Sequence, residues 1–394
     1  STSMAVTLFT EKIHVYDILE HRQFAIATFL DLSKAFDLVN HSFLLQKLSH
    51  YGVRGVALAW IHSYLQNRKQ FVHYNGAQSS MLGITCGVPQ GSILGPLLFI
   101  IYINDINQQT PENTLYYTLY ADDTNLIISG DNIEDTTQQL NTHLNTLHQW
   151  FESNHLFINT SKTNYIVFTQ KPSIARHNFE IKLNNIPIDR VHQTKFLGII
   201  IDSNLNWRHH ISHIKNKISK VIGILYRIRN KIPLKLRITL YNTLILPHLT
   251  YCITIWGKTY KKYTHDIIII QKRILRIITH SPRTAHTAPL FTHYNILNFN
   301  HLYTYHSLLL AHKLYYHNLP PIVHTTLYQQ QNQPYHLRNE YNLPITFRNL
   351  TTSRFGPRYN LPRIFNNLPN NLKSINSFTS YKKRIKSHLK NLPP

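Results

Sequence analysis

Leu115-Tyr116-Tyr117-Thr118-Leu119-Tyr120-Ala121-Asp122-Asp123-Thr124-Asn125-Leu126-Ile127-Ile128 decides how the chain folds. Two apolar, β-favouring runs flank Ala121-Asp122, so the segment reads as a hairpin with those residues near its tip. Alternation along the strands then sends the two adjacent acids in different directions. Upstream, Phe24 to Leu30 reads as a buried strand that ends in Asp31. Three carboxylates brought by strand ends to one point are a construction that holds two Mg²⁺ ions for phosphoryl transfer. Burying Asp31 and Asp122 at strand ends costs desolvation, which a bound cation offsets. The plain alternative for a single strand-end Asp is a cap or a turn.

Working outward, residues 4–20 read as a helix with Val6, Ile13 and Ile18-Leu19 on one side. Leu38 to Tyr51 has helical spacing at Leu44, Leu45 and Leu48 and stops at Gly52; Val56 to Gln66 continues as a second helix. Phe71 to Tyr74 reads as a strand before an Asn75-Gly76 turn. Ser92 to Ile106 is a long apolar stretch that accommodates Pro96 in a first helical turn. A patterned helix is expected from Ile133 to Phe151, then strands at Tyr165–Phe168 and Phe196–Ile200. Beyond Trp207, Ile211, Ile214, Ile218, Ile222 and Leu225 form an apolar helical stripe interleaved with lysines. Further helices are expected at 235–246, 265–279, 300–316 and 377–391, with loop-rich sequence from about Pro320.

Charge divides the chain in two. Residues 1–202 carry 13 Lys+Arg against 16 Asp+Glu, whereas residues 203–394 carry 28 Lys+Arg against only Asp266 and Glu340. A stretch of that length almost free of acids points to a polyanion, most simply nucleic acid, beyond the ordinary reading of a solvated face. Cys86 and Cys252 are the only cysteines, which excludes a disulfide framework or a Cys-built zinc knuckle and suits a reducing, intracellular setting. The 26 histidines are scattered, and His209-His210 is a weak pair for a metal. No apolar run approaches the ~18 residues of a membrane span, so no membrane role is expected. No signal peptide is expected, and the native N-terminus is expected to lie upstream of Ser1.

Three blocks, in order, carry a resemblance: Phe29-Leu30-Asp31-Leu32-Ser33-Lys34-Ala35-Phe36-Asp37, Gly87-Val88-Pro89-Gln90-Gly91-Ser92-Ile93-Leu94-Gly95-Pro96 and Tyr120-Ala121-Asp122-Asp123. They resemble the central motifs of reverse transcriptases, in the wording of non-LTR retrotransposons of the jockey and CR1 type. The resemblance runs on through Phe196-Leu197-Gly198-Ile199 and covers most of the chain.

That resemblance implies an α+β fold: a right-hand polymerase palm, with an antiparallel sheet backed by helices, then an all-α thumb and a basic C-terminal extension. The implied divisions are residues 1–205, palm with a remnant of fingers; 206–320, helical thumb; and 321–394, basic C-terminal region. Asp31, Asp122 and Asp123 match the metal-binding triad for two Mg²⁺ ions, with Mn²⁺ as a substitute. Leu32, Phe36, Gln90 and Gly91 match the nucleotide site. Phe36 stands at the steric gate, where an aromatic ring under the sugar leaves no room for a 2′-hydroxyl; an ordinary core phenylalanine is the alternative. Lys162 matches a lysine near the departing pyrophosphate, able to donate a proton or screen charge, though a solvated surface lysine accounts for it nearly as well.

Phe196, Leu197 and Gly198 resemble the primer grip, a hairpin positioning the 3′ end; a buried strand serving only the fold is the alternative. Lys215, Lys217, Lys220, Arg227, Arg229 and Lys231 are expected to track the phosphates of an RNA–DNA hybrid, with steep salt dependence. The implied partners are RNA template, DNA primer, their hybrid and dNTPs, with nuclear action. Few residues precede Asp31, so the fingers basic residues that meet the triphosphate have no counterpart, and neither an endonuclease nor an RNase H carboxylate cluster is expected. The competing readings are a catalytically incomplete RNA-binding remnant of such an enzyme and a group II intron maturase.

Overall fold

The computed structural model describes residues 1–15, 18–109, 115–328 and 341–393. By compactness the chain forms two units, one of residues 23–192 and one of residues 1–22 with 193–394. The compact division falls at Gln193 and takes the helix Thr2–Val15 with the later half.

In the first unit, strand β1 (Phe24–Leu30) is buried at every position, in keeping with a sequence that is apolar except at Thr28. It is followed by helices α1 (His41–His50) and α2 (Leu94–Ile103), strands β2 (Leu115–Tyr120) and β3 (Asp123–Gly130), helix α3 (Ile133–Ser153), and strands β4 (Asn164–Phe168) and β5 (Asp189–Arg190). The sheet order is β5-β4-β1-β3-β2, antiparallel throughout except for the β4–β5 pair. One sheet face, with Phe24, Ile26, Leu30, Leu126, Ile128, Tyr165 and Val167, joins Leu98 and Phe99 of α2 and Leu140, Leu144 and Leu147 of α3 in a single core. The opposite face carries Asp31 and Asp123 by strand alternation.

Local signals set the boundaries. Asn40 and Asn132 cap α1 and α3 by accepting the Phe43 and Glu134 amides. Past α1 the chain turns at Gly52 with φ +90°. Pro96 occupies the third position of α2, where no intrahelical donor is lost. Asn75-Gly76 forms the expected turn, but the strand before it shortens to His73–Tyr74, which is exposed on both residues. With no buried face, nothing extends the pairing.

In the second unit, β6 (Gln193–Phe196) and β7 (Ile199–Asp202) form a hairpin through Leu197-Gly198. The expected continuous strand at Phe196–Ile200 is thus two strand ends around a turn. Helix α4 (Arg208–Ile228) buries all five residues of its predicted apolar stripe. It packs against α5 (Lys261–Thr279), which buries Ile267, Ile270, Ile274 and Ile278. Helix α6 (Phe299–Tyr315) packs against α7 (Pro357–Asn366) and α8 (Phe378–Asn391). The helix expected at 235–246 runs as Leu234–Leu240, a π-turn at Tyr241–Ile245, and Leu246–Thr250. Pro247, which has no amide hydrogen to donate, stands just past the π-turn. The segment from Pro320 is more helical than its composition suggests, with Pro321–Leu327 and α7; residues 329–340 lie outside those described. No helix among the described residues is long and apolar enough to cross a membrane.

Candidate active site

Leu30 pairs with Thr124 and Tyr120 with Asp123, so one further step of the β1–β3 register sets Asp31 beside Asp123. Ala121 and Asp122 make the two-residue turn between β2 and β3. Ala121 takes φ +53°, a left-handed value that costs a residue with a Cβ about 1–2 kcal/mol. The predicted divergence of the acids is seen: Asp122 is exposed and Asp123 is partly buried. The Asp123 carboxyl is pushed above its ordinary range, first by burial and then by the charges of Asp122 and Asp31. The three carboxylates therefore share one electrostatic neighbourhood.

Asp31 is held from its other side. Its backbone oxygen accepts from the Asn159 amide at 2.7 Å. The turn from Asn159 to Thr163 is fastened by Thr163 Oγ1 donating to Asn159 O at 2.9 Å. That turn delivers Lys162, whose Nζ lies 3.6 Å from Asp31 Oδ2. Both side chains are well exposed, so the pair adds little to stability. Lys162 therefore stands at the carboxylate site as an exposed cation.

The second predicted block is strapped to the first. Gly87 N donates to Val39 O at 2.7 Å and Val88 N to Phe36 O at 2.8 Å, while the His41 ring meets Gly87 O at 2.7 Å. Gly87 has φ +89°, and a Cβ there would lie 2.8 Å from Asp37 O and 2.9 Å from Asp37 Cα. Gly91 also has a positive φ, +79°, but open space around it. Gln90 Nε2 donates to Asp37 Oδ1 at 2.9 Å. Ser92 Oγ donates to Pro89 O at 2.7 Å and accepts from Gly95 N at 2.9 Å, which closes the loop onto the start of α2.

Between these strapped segments lies a pocket of about 370 Å³, lined by Leu32, Lys34, Ala35, Phe36, Pro89, Gln90, Gly91, Pro96 and Asp122. All four residues expected at a nucleotide site are in this wall, with one of the three acids. Phe36 stacks on Phe99 with ring centroids 4.6 Å apart, so the core fixes a ring that also faces the pocket. Sequence reading missed Asp37, Lys34 and Pro96. Asp37 is legible only as the last letter of its block, because its partnership with Gln90 spans 53 positions.

No group of three or more His, Cys, Asp or Glu side chains among the described residues is arranged to hold a metal ion. Three carboxylates that raise a proton's hold on one of their number are the donor chemistry of a hard divalent cation, and in that respect the residues fit Mg²⁺.

The other predicted residues lie in the second unit, where several expectations change. Phe196 is 3% exposed and its ring is 5.2 Å from that of Phe9, so it is a core side chain. Its inward direction follows from strand alternation. Leu197 and Gly198, with φ +46° and +82°, form the turn itself. Tyr251 Oη donates to Leu197 O at 2.6 Å and holds that turn. Ile200 N donates to His210 Nδ1 at 3.3 Å, and burial pushes the His210 pKa down to about 3. His210 is thus a neutral brace against Trp256, while His209 points to solvent. Lys217, Lys220 and Arg227 are exposed on α4, three to ten residues apart and on one face. Lys215 is instead committed to Asp266, 2.9 Å away on α5. Arg229 lies over the Tyr226 ring, 3.7 Å from its centroid.

Comparison with known proteins adds to this geometry. The family model described as reverse transcriptase (RNA-dependent DNA polymerase) matches residues 4–201, half of the chain. The chain is 31% identical over 274 residues to the RNA-directed DNA polymerase from mobile element jockey of Drosophila melanogaster, an alignment covering 68% of this chain and 30% of that protein. It is 30% identical over 275 residues to the jockey polymerase of Drosophila funebris, at 68% and 30% coverage. With the probable RNA-directed DNA polymerase from transposon X-element of Drosophila melanogaster it shares 27% over 267 residues, covering 66% and 29%. The chain thus spans about 30% of the length of these curated relatives. Among solved structures, a telomerase from Candida albicans in complex with a fragment of telomeric RNA matches with a TM-score of 0.29 and 14% identity, over 71% of this chain and 50% of that one. A likeness that low carries no structural argument.

Proposed function

We infer that this chain, which belongs to the reverse transcriptase (RNA-dependent DNA polymerase) family, performs RNA-directed DNA synthesis for a non-LTR retrotransposon. The observation that carries this reading is the pocket in which Leu32, Phe36, Gln90 and Gly91 meet Asp122, beside the electrostatically linked Asp123 and Asp31. In this reading the five-stranded sheet and its helices are the palm, residues 206–320 the thumb, and residues 321–394 a basic C-terminal region. RNA template, DNA primer and dNTPs are the partners, and the work is done inside the cell, in the nucleus.

The primer 3′-hydroxyl attacks the α-phosphate of a dNTP, the bond to the β-phosphate breaks, and pyrophosphate leaves. Asp31, Asp122 and Asp123 would hold two Mg²⁺ ions, or Mn²⁺ in their place. Bound there, the ions supply a lowered hydroxyl pKa and charge neutralisation on the leaving group. Phe36, fixed against Phe99, sits under the sugar and excludes a 2′-hydroxyl. Gln90 and the open backbone at Gly91 shape the floor of the nucleotide pocket. Lys162, exposed beside Asp31, screens the growing negative charge or protonates the pyrophosphate.

Primer extension on an RNA template with dNTPs and Mg²⁺ tests the reading. Asp122→Ala should lower extension by at least ~10³-fold, equivalent to about 4 kcal/mol of barrier. Equal extension by both proteins would remove the carboxylates from the chemistry. No extension by either, with hybrid binding intact, would leave an RNA-binding fragment of the enzyme.

A further inference from the structure

Helices α4 and α5 end beside one another and enclose a second cleft, of about 650 Å³, which no expectation from the sequence anticipated. Tyr226, Arg229, Arg273, Arg276, His280 and Arg283 line it. The four arginines come from three separate places: the end of α4, the last turns of α5 and the loop beyond it. None of them is within ion-pair distance of a carboxylate among the described residues. Asp266 on α5 is engaged with Lys215. Arginines near a helix C-terminus ordinarily answer the negative end of its dipole. That accounts for Arg273 and Arg276 but not for the convergence of Arg229 and Arg283 on the same space.

Two arginines are held in place by the fold. Arg276 Nε donates to Ala285 O at 2.9 Å, which ties α5 to the following loop. Arg229 is stacked on Tyr226, whose ring is 52% exposed. A fixed guanidinium plane on an exposed aromatic ring is a platform for a flat heterocycle, and unpaired arginines around it are donors for phosphate oxygens. The cleft is larger than a single phosphate needs and lacks the acids that would select a cationic or neutral ligand.

We propose that this cleft binds a single strand of RNA, its phosphates held by Arg273, Arg276 and Arg283 and one base stacked on the Arg229–Tyr226 pair. It is distinct from the duplex track of Lys217, Lys220 and Arg227 on α4. The proposal rests on the polymerase reading only in taking nucleic acid as the polyanion; it does not require nucleotide addition.

Fluorescence anisotropy with a 5′-labelled oligo(U) dodecamer and the full chain tests it. Arg273→Gln/Arg283→Gln removes two charges from the cleft, and Lys383→Gln/Lys386→Gln removes two from the exposed face of α8 as a control. The cleft variant should bind at least tenfold more weakly at 0.15 M salt, and its slope of log Kd against log salt should fall by about 1.4, the contribution of two phosphate contacts on a single strand. The control should stay within threefold of wild type, and Tyr226→Ala should weaken single-strand binding more than hybrid binding. Equal losses in the two double variants, or wild-type affinity in the cleft variant, overturn the proposal. If circular dichroism shows the double variant unfolded, Arg283→Gln alone carries the test, with half the change in slope. Cleft-dependent RNA binding without primer extension would overturn the polymerase reading and leave the cleft standing, whereas extension with cleft-independent binding would do the reverse.

Discussion

Phe36 has two neighbourhoods that usually belong to different residues. Its stack on Phe99 is a packing contact, and its other face borders the pocket that holds Gln90, Gly91 and Asp122. A ring held on one side by the core and open on the other to the pocket suits the proposed gate. Phe36→Val keeps an apolar β-branched residue but shortens the wall. Ribonucleotide incorporation relative to deoxyribonucleotide should rise at least ~10-fold, while stability falls by about 1–2 kcal/mol as the stack is lost. Single-nucleotide incorporation with matched dNTP and rNTP reads the first, and urea unfolding the second. Unchanged discrimination with lowered stability would leave Phe36 a core residue only. Asp31, Asp122 and Asp123 were legible as carboxylates at strand ends, and Phe36 and Gln90 through the resemblance that their contiguous blocks carry. Asp37 as the partner of Gln90, and Tyr251 as the brace of Leu197, were not, because nothing local marks a contact that spans 53 or 54 positions.

At the scale of elements, periodicity served well wherever one face is buried. The α4 stripe, the buried strand β1 and the Ala121-Asp122 tip all stand as the residues suggest. It misled at Phe196–Ile200, where periodicity reads a strand and the chain makes a hairpin, the form that the resemblance implies. Leu197 and Gly198 both have positive φ, and a Cβ at Gly198 would come within 3.4 Å of the Tyr251 ring. Gly198→Ala should cost about 1–2 kcal/mol through the left-handed backbone, seen as a lower urea midpoint. Hydrogen exchange at the Ile199 and Ile200 amides should accelerate in parallel, and unaltered exchange would mean that the turn tolerates a side chain. His210, a neutral acceptor for Ile200 N, shows why an adjacent histidine pair in sequence need not be a metal site. Its burial against Trp256 is a tertiary property.

Over the whole molecule, charge and chain connectivity are arranged independently. The unit of residues 1–22 and 193–394 holds 31 Lys+Arg against six Asp+Glu, while residues 23–192 hold ten against twelve. Three of those six acids precede residue 23, and two of the three reach far along the chain. Glu20 accepts the Asn349 and Leu350 amides at 3.0 and 3.2 Å. Glu11 Oε1 accepts the Arg358 amide at 3.2 Å at the start of α7. Nothing in the sequence revealed this pairing of Glu11 and Glu20 with residues 349–358. Glu11 is 1% exposed, and burial raises its pKa to about 7 against the opposing charges of Arg358 and Arg348. Between its ordinary value of 4.5 and about 7, the folded chain holds a proton that the unfolded chain has released. The associated stability is complete below the lower value and is lost as pH rises through the upper one. Glu11→Gln keeps an amide oxygen for Arg358 N and abolishes the titration. Between pH 5 and pH 8 the wild type should lose about 2–3 kcal/mol relative to the variant, measured by urea unfolding. Parallel curves would mean that the two arginines keep Glu11 ionised throughout.

The fit of Gly87 against the Asp37 backbone has a consequence for how this site can vary over time. The segment bearing Phe36 and the segment bearing Gln90 touch main chain to main chain, with no side chain between them to absorb a change. Randomising codon 87 would therefore return glycine alone among working sequences, since even a methyl group must prise the two segments apart. Codon 91 would also return asparagine, because only its backbone angle is demanding and the space around it is open. Two glycines four residues apart, alike in sequence, thus differ in mutational freedom. The tighter constraint falls on the glycine that does not line the pocket.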